Sequence, residues 1–142
     1  MAEPDLLLSR GQYLARLAAG TADVAAAQAL RTLCFRTPGT DCDAFDSRCA
    51  HVLVEHAASG TLVCCFRLLV LPNGGGLEHS YAAQFYELPG LRGFAGPMAE
   101  LGRFCIHPDW HDPDILRLAW GAVTGLVDGQ GVQMLFGCSS FA

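Results

Sequence analysis

The chain predicts an α/β layered domain built on a mixed, mostly antiparallel sheet. Three observations carry that expectation: a run of strand-like segments through the middle, two segments with helical spacing of apolar residues, and a strand, helix, strand order at the end. The last unit implies a right-handed crossover and a parallel pair of strands. The 142 residues suit one core, so 1–142 is read as a single domain.

Tyr13, Ala15 and Leu17 alternate with their neighbours and predict the first strand, which Gly20 ends. Thr21 reads as a helix N-cap, with Asp23 in the first turn. Val24, Ala27, Leu30 and Cys34 then recur at helical spacing through Phe35. Pro38 and Gly39 close the helix and open an acidic loop, TDCDAFD, that carries Asp41, Asp43 and Asp46. Two strands, Ala50 to His56 and Thr61 to Leu71, follow around a Ser59-Gly60 hinge. The loop PNGGG leads to a mixed segment, Ser80 to Leu88, and then to a strand around Glu100. Pro113, flanked by Asp112 and Asp114, opens a helix that runs to about Gly129, and Val132 to Phe136 predicts the last strand.

Composition removes several functions. Hydrophobic residues make up 51% and charged residues 16%, which suits a packed protein rather than a disordered one. The basic residues number nine and all are arginine, so lysine Schiff bases and Walker-type phosphate loops have no residue to use in this chain. A net charge of -5 with scattered arginines leaves no footprint for nucleic acid. The acidic start and the short Leu6 to Leu8 patch do not make a secretory signal, and the apolar run at Thr61 to Leu71 is too short to span a membrane. Seven cysteines without CxxC spacing read as reduced thiols, and five scattered histidines form no ligand set, so no metal is expected.

Chemistry enters where charges interrupt apolar runs. In MAELGRFCIHPDW, Glu100 and Arg103 stand in a strand-like segment, and buried charges need a partner or a task. They read either as a structural ion pair or as a reaction centre in which Glu100, disfavoured as an anion by apolar surroundings, accepts a proton. Arg67 in CFRLL needs a carboxylate, either one on a substrate or an internal one, from Glu100 or an aspartate. Arg31 lies on the first helix, Trp120 at core spacing on the second, and Ser139 and Ser140 lack a nucleophile elbow.

These residues also carry a resemblance. QALRTLCF at 28–35, DCDAFD at 41–46, HVLV at 51–54, CFRLL at 65–69, ELGRFCIHPDW at 100–110 and LFGCSSF at 135–141 occur in the order seen in the bacterial ornithine Nα-acyltransferases, which the chain resembles. The LR, D-x-x-D, FRLL and E-L-x-R elements are more distantly similar to acyl-homoserine-lactone synthases. The resemblance implies a GNAT-like fold, of which this chain looks like the N-terminal part, with C-terminal strands missing. It implies an N-acyltransferase that moves a 3-hydroxy fatty acyl group from acyl-carrier protein to the α-amine of L-ornithine, giving lyso-ornithine lipid.

On that basis Glu100 is the expected base. Arg67, Arg103, Asp43, Asp46 and Arg31 are the expected substrate-binding residues, with the two aspartates facing the side-chain ammonium of ornithine. No cofactor is expected to be bound. Coenzyme-A-binding members of the fold carry a glycine-rich turn for pyrophosphate after the Glu100 strand, whereas this chain has HPDWHDPDILRLAW, with three aspartates and no glycine. An acyl-phosphopantetheine arm presented by acyl-carrier protein is therefore the expected co-substrate. The expected location is the cytoplasm with peripheral contact at the inner membrane. Two alternatives stand: an acyl-homoserine-lactone-synthase-like enzyme acting on another amine, and a non-catalytic fragment that self-associates or pairs with a partner through an unfinished sheet edge.

Overall fold

The computed structural model describes residues 6–84 and 89–137. Among these residues six strands form one sheet in chain order: β1 (Leu6–Arg10), β2 (Tyr13–Leu17), β3 (Ala50–His56), β4 (Leu62–Leu71), β5 (Met98–Ile106) and β6 (Met134–Gly137). Neighbours from β1 to β5 pair antiparallel, and β6 pairs parallel with β5, as the strand, helix, strand order predicts. The helices are α1 (Thr21–Phe35), a short α2 (Pro89–Arg92) and α3 (Pro113–Gly129). Two 3₁₀ turns, Gly74–His79 and Ala82–Gln84, lie with α2 in the excursion between β4 and β5.

Alternation along the central strands divides the core. Val52 and Val54 of β3 and Cys64, Phe66 and Leu68 of β4 face α3, where Ile115, Leu118, Ala119, Ala122 and Val123 form a buried stripe. Leu53 and Cys65 point the other way, against Ala27 and Leu30 of α1. A third cluster, Phe45, Leu69, Leu71, Leu77 and Met98, seats the 3₁₀ excursion on the α1 side. Ile115 and Leu118 are fully buried, so truncating either to alanine costs about 2–5 kcal/mol.

Three elements differ from expectation. Leu6–Arg10 is an edge strand, turned onto β2 through Gly11, whose φ of 57° suits glycine. Gly20, not Thr21, is the N-cap of α1, and it supplies no side-chain cap. Asp23 instead accepts the Ala19 N–H at 2.7 Å and binds Arg16 through two nitrogens at 2.7 and 3.0 Å. The glycines of PNGGG enter a 3₁₀ turn, with Asn73 Oδ1 accepting the Gly75 N–H. The α3 start is as predicted: Asp112 caps it and accepts the Asp114 N–H at 3.0 Å, ahead of Pro113 in the first turn.

β5 carries the irregularity that shapes the site. Cys65 pairs with Cys105 and Arg67 with Gly102, so Phe66 alone faces both Arg103 and Phe104. This is a β-bulge, and Arg103 adopts a left-handed φ of 49° to make it. Gly102 and Arg103 consequently share the α1 side, while Phe104 turns to the α3 side and stacks between Phe66 and Trp120. Among the described residues, β5 from Met98 to Leu101 pairs with β6 from Met134 to Gly137.

Candidate active site

The bulge of β5 and the described residues of β6 border a cavity of about 590 Å³. Its walls include Glu100, Arg67, Arg103 and Tyr81 on the α1 side, with Phe104, Trp120 and Leu135 on the other. Gly137 closes in on β5 so tightly that a Cβ there would lie 2.3 Å from the Leu101 carbonyl oxygen. A charged wall thus meets an apolar one.

Glu100 is 4% exposed, and its partners are not cations. Oε1 accepts the Tyr81 N–H and Oε2 the Ala82 N–H, each at 2.7 Å. Among the described residues the carboxylate forms no ion pair, so the Glu100–Arg103 pair that the sequence allows is not made.

Arg103 turns instead to Asp41, with Nε 3.2 Å from Oδ1 and Nη2 bonded to Oδ2, and its guanidinium lies 4.3 Å from the Phe35 ring centroid. Asp41 also accepts Arg31 Nε at 2.8 Å. Arg31 continues to Asp46, Nη1 to Oδ1 at 2.6 Å, and Asp46 accepts Arg67 Nη1 at 2.8 Å. Arg67 ends the chain with a bidentate pair to Asp43, at 2.7 and 3.0 Å. Three guanidiniums and three carboxylates therefore alternate through the interior, and their charges cancel.

The loop is built for this. His51 donates from Nε2 to the Asp46 carbonyl oxygen at 2.7 Å, Gln28 donates to Asp46 Oδ2 at 3.0 Å, and Asp43 Oδ1 accepts the Phe45 N–H at 3.0 Å. Burial alone raises the Asp46 and Asp43 pKa values. It is outweighed, for Asp46 by Arg31, Gln28 and the Asp43 N–H, and for Asp43 by Arg67, so both carboxyls sit below the usual range.

The five sequence-predicted binding residues, Arg31, Asp43, Asp46, Arg67 and Arg103, thus meet in one network. Arg67 takes internal aspartates, the second of its two sequence alternatives, and Arg31, at 2% exposure, is spent on Asp41 and Asp46. Asp41 was visible in the acidic loop but was no candidate. Tyr81, Phe35 and Phe104 carry no charge in an apolar run and so gave no signal. Trp120 corrects the sequence reading: it is 46% exposed and lines the cavity rather than the core. Cys138, Ser139 and Ser140 lie outside the described residues, as does part of the Ser80 to Leu88 segment. The six described cysteines are free, and among the described residues no His, Cys, Asp or Glu group could hold a metal. No described helix is long and apolar enough to cross a membrane.

A mixed sheet with a bulged fifth strand, with a buried carboxylate on one side and an apolar wall on the other, defines an α/β domain of the N-acyltransferase fold. The chain belongs to the acetyltransferase (GNAT) domain family, whose model matches residues 26–121. It is similar to the L-ornithine N(alpha)-acyltransferase of Rhizobium meliloti, 30% identical over 89% of this chain and 49% of the relative. It is also similar to that of Rhodobacter capsulatus, 28% identical over 71% of this chain and 41% of the relative. The chain spans about half the length of these curated relatives. In fold it resembles an N-acyl amino acid synthase from uncultured soil microbes, FeeM, with a TM-score of 0.61 and 16% identity over 87% of this chain and 68% of that one.

Proposed function

We propose that the chain forms the acceptor-binding and base-bearing part of an N-acyltransferase that moves a 3-hydroxy fatty acyl group from acyl-carrier protein to the α-amine of L-ornithine, giving lyso-ornithine lipid. The observation that carries this reading is the cavity itself, where a buried carboxylate outside the ion-pair network and two guanidiniums face an aromatic wall.

In the reaction, the amine nitrogen attacks the thioester carbonyl carbon while Glu100 takes its proton, directly or through one water. The tetrahedral intermediate then expels the phosphopantetheine thiolate, which recovers a proton and leaves as the thiol. Arg103, a quarter exposed, and Arg67 meet the substrate carboxylate. Asp43, 30% exposed, faces the side-chain ammonium, whereas Asp46 and Arg31 are buried and act by holding Arg67 and Asp41. Phe104 and Trp120 line the path of the acyl chain.

The α3 start supports a carrier-protein donor over coenzyme A. Asp112 already occupies the helix N-terminus, and Asp109 and Asp114 flank it, so a pyrophosphate there meets carboxylates rather than free N–H groups. A cytoplasmic site with transient contact at the inner membrane fits a lipid product. The test is to offer the same 3-hydroxyacyl group on acyl-carrier protein and on coenzyme A, with L-ornithine and a panel of other amines, and to weigh the products. The N-acyl ornithine mass from the carrier thioester supports the reading. Transfer to another amine only, a preference for coenzyme A, or no transfer overturns it.

A further inference from the structure

Glu100 does more than line the cavity. Its two oxygens accept the Tyr81 and Ala82 N–H groups at 2.7 Å each, while Ser80 Oγ accepts the Ala83 N–H at 3.1 Å. The amides that open the Ala82–Gln84 turn are therefore satisfied by Glu100 and by Ser80, which is itself fully buried. These contacts tie the excursion between β4 and β5 to the middle of β5, 18 residues further along the chain.

The turn so held presents the Tyr81 ring to Arg67. The Arg67 guanidinium carbon lies 5.5 Å from the Tyr81 ring centroid and 5.7 Å from that of Phe45, and the two rings meet edge to face at 5.6 Å. Two carboxylates fix the head of Arg67, and two rings flank it. One of those rings hangs, through its own backbone N–H, on Glu100. Glu100, Tyr81 and Arg67 all line the same cavity.

We propose that Tyr81 is a positioning residue for the acceptor, carried on a strap, Ser80 to Ala83, that Glu100 holds against the sheet. This rests on the reading of the cavity as an acyltransfer site and extends it: one carboxylate serves both as proton acceptor and as anchor of the ring that orients Arg67. A direct consequence concerns Glu100→Gln. Its amide nitrogen is a donor set against a backbone donor, so at most one of the two anchoring bonds survives.

Two comparisons test this. The first needs no activity: amide exchange by NMR in the parent and in Glu100→Gln. Exchange of the Tyr81 and Ala82 amides at least about tenfold faster in the variant, with the β3 and β4 amides unchanged, supports the strap. Unchanged exchange at those two amides overturns it. The second measures acyl transfer with Tyr81→Ala and Tyr81→Phe. The alanine variant raises the acceptor KM about tenfold while kcat falls less than about threefold, and phenylalanine brings KM back to within about twofold of the parent. An unchanged KM in Tyr81→Ala, or a phenylalanine variant as impaired as alanine, overturns the role of the ring. A parent that transfers no acyl group refutes the acyltransfer reading, and with it the role toward an acceptor, while amide exchange still decides whether Glu100 holds the turn.

Discussion

Arg67, which lines the candidate site, forms a bidentate pair with Asp43, its terminal nitrogens 2.7 and 3.0 Å from the two carboxylate oxygens. Arg67 brings this end of the ion-pair chain to the cavity, while Asp43, the chain's most exposed member, lines a second cavity beside α1. A ligand carboxylate at Arg67 would compete with Asp43, whereas Asp46 would keep its bonds to Arg31, Arg67 and Gln28.

Asp46 is therefore the stability-critical carboxylate. Asp46→Ala leaves Arg31 and Arg67 each short of a buried partner and is expected to cost about 3–5 kcal/mol in urea unfolding. Asp114→Ala, which removes the exposed contacts to Arg10 and Arg117, is expected to cost under about 1 kcal/mol. Equal losses in the two variants would contradict a buried network that matters to the fold.

Acid should weaken the protein through the same groups. Asp43 and Asp46 are held below the usual carboxylate range despite burial, and Arg16 with the Ala19 N–H lowers Asp23 to about 2. A depressed folded pKa gives stability that is present above the unfolded value, about 3.9, and lost as pH falls through the folded values. Urea midpoints measured from pH 7 downward should hold steady to about pH 5 and then decline below about pH 4. A midpoint unchanged at pH 3 would contradict the assignment.

Trp120 tests the apolar wall. It stacks on Phe104 at 5.9 Å and is 46% exposed, so Trp120→Ala is expected to cost only about 1 kcal/mol in stability. The KM for the acyl donor should rise about fivefold, more for longer chains, with the acceptor KM unchanged. A change confined to the acceptor would place the acyl chain elsewhere.

Much of this was legible in the sequence because burial leaves periodic traces. The alternating faces of β3, the nearly continuous apolar run of β4 and the stripe on α3 marked their elements, and the order of the last three elements predicted the parallel pair. β1 left little trace, since four of its five residues are exposed and it sits at the sheet edge. Charges in apolar runs singled out Glu100, Arg67 and Arg103, but their partners depend on geometry. Regular alternation would send Arg103 to the apolar α3 side. The bulge, which no pattern announces, turns it to Asp41 and leaves Glu100 to two backbone amides. Helical spacing placed Trp120 on a helix without revealing that it stacks on Phe104 at the cavity, 46% exposed, rather than joining the core stripe.

Acyl transfer to an α-amine in this cavity would use Glu100 as the proton acceptor. The most direct measurement is single-turnover transfer from 3-hydroxyacyl carrier protein to saturating L-ornithine, with the product read by mass, for the parent and for Glu100→Gln. N-acyl ornithine is expected from the parent, at a rate at least about tenfold lower in the variant. A folded parent that yields no N-acyl product, or a variant as fast as the parent, would contradict it.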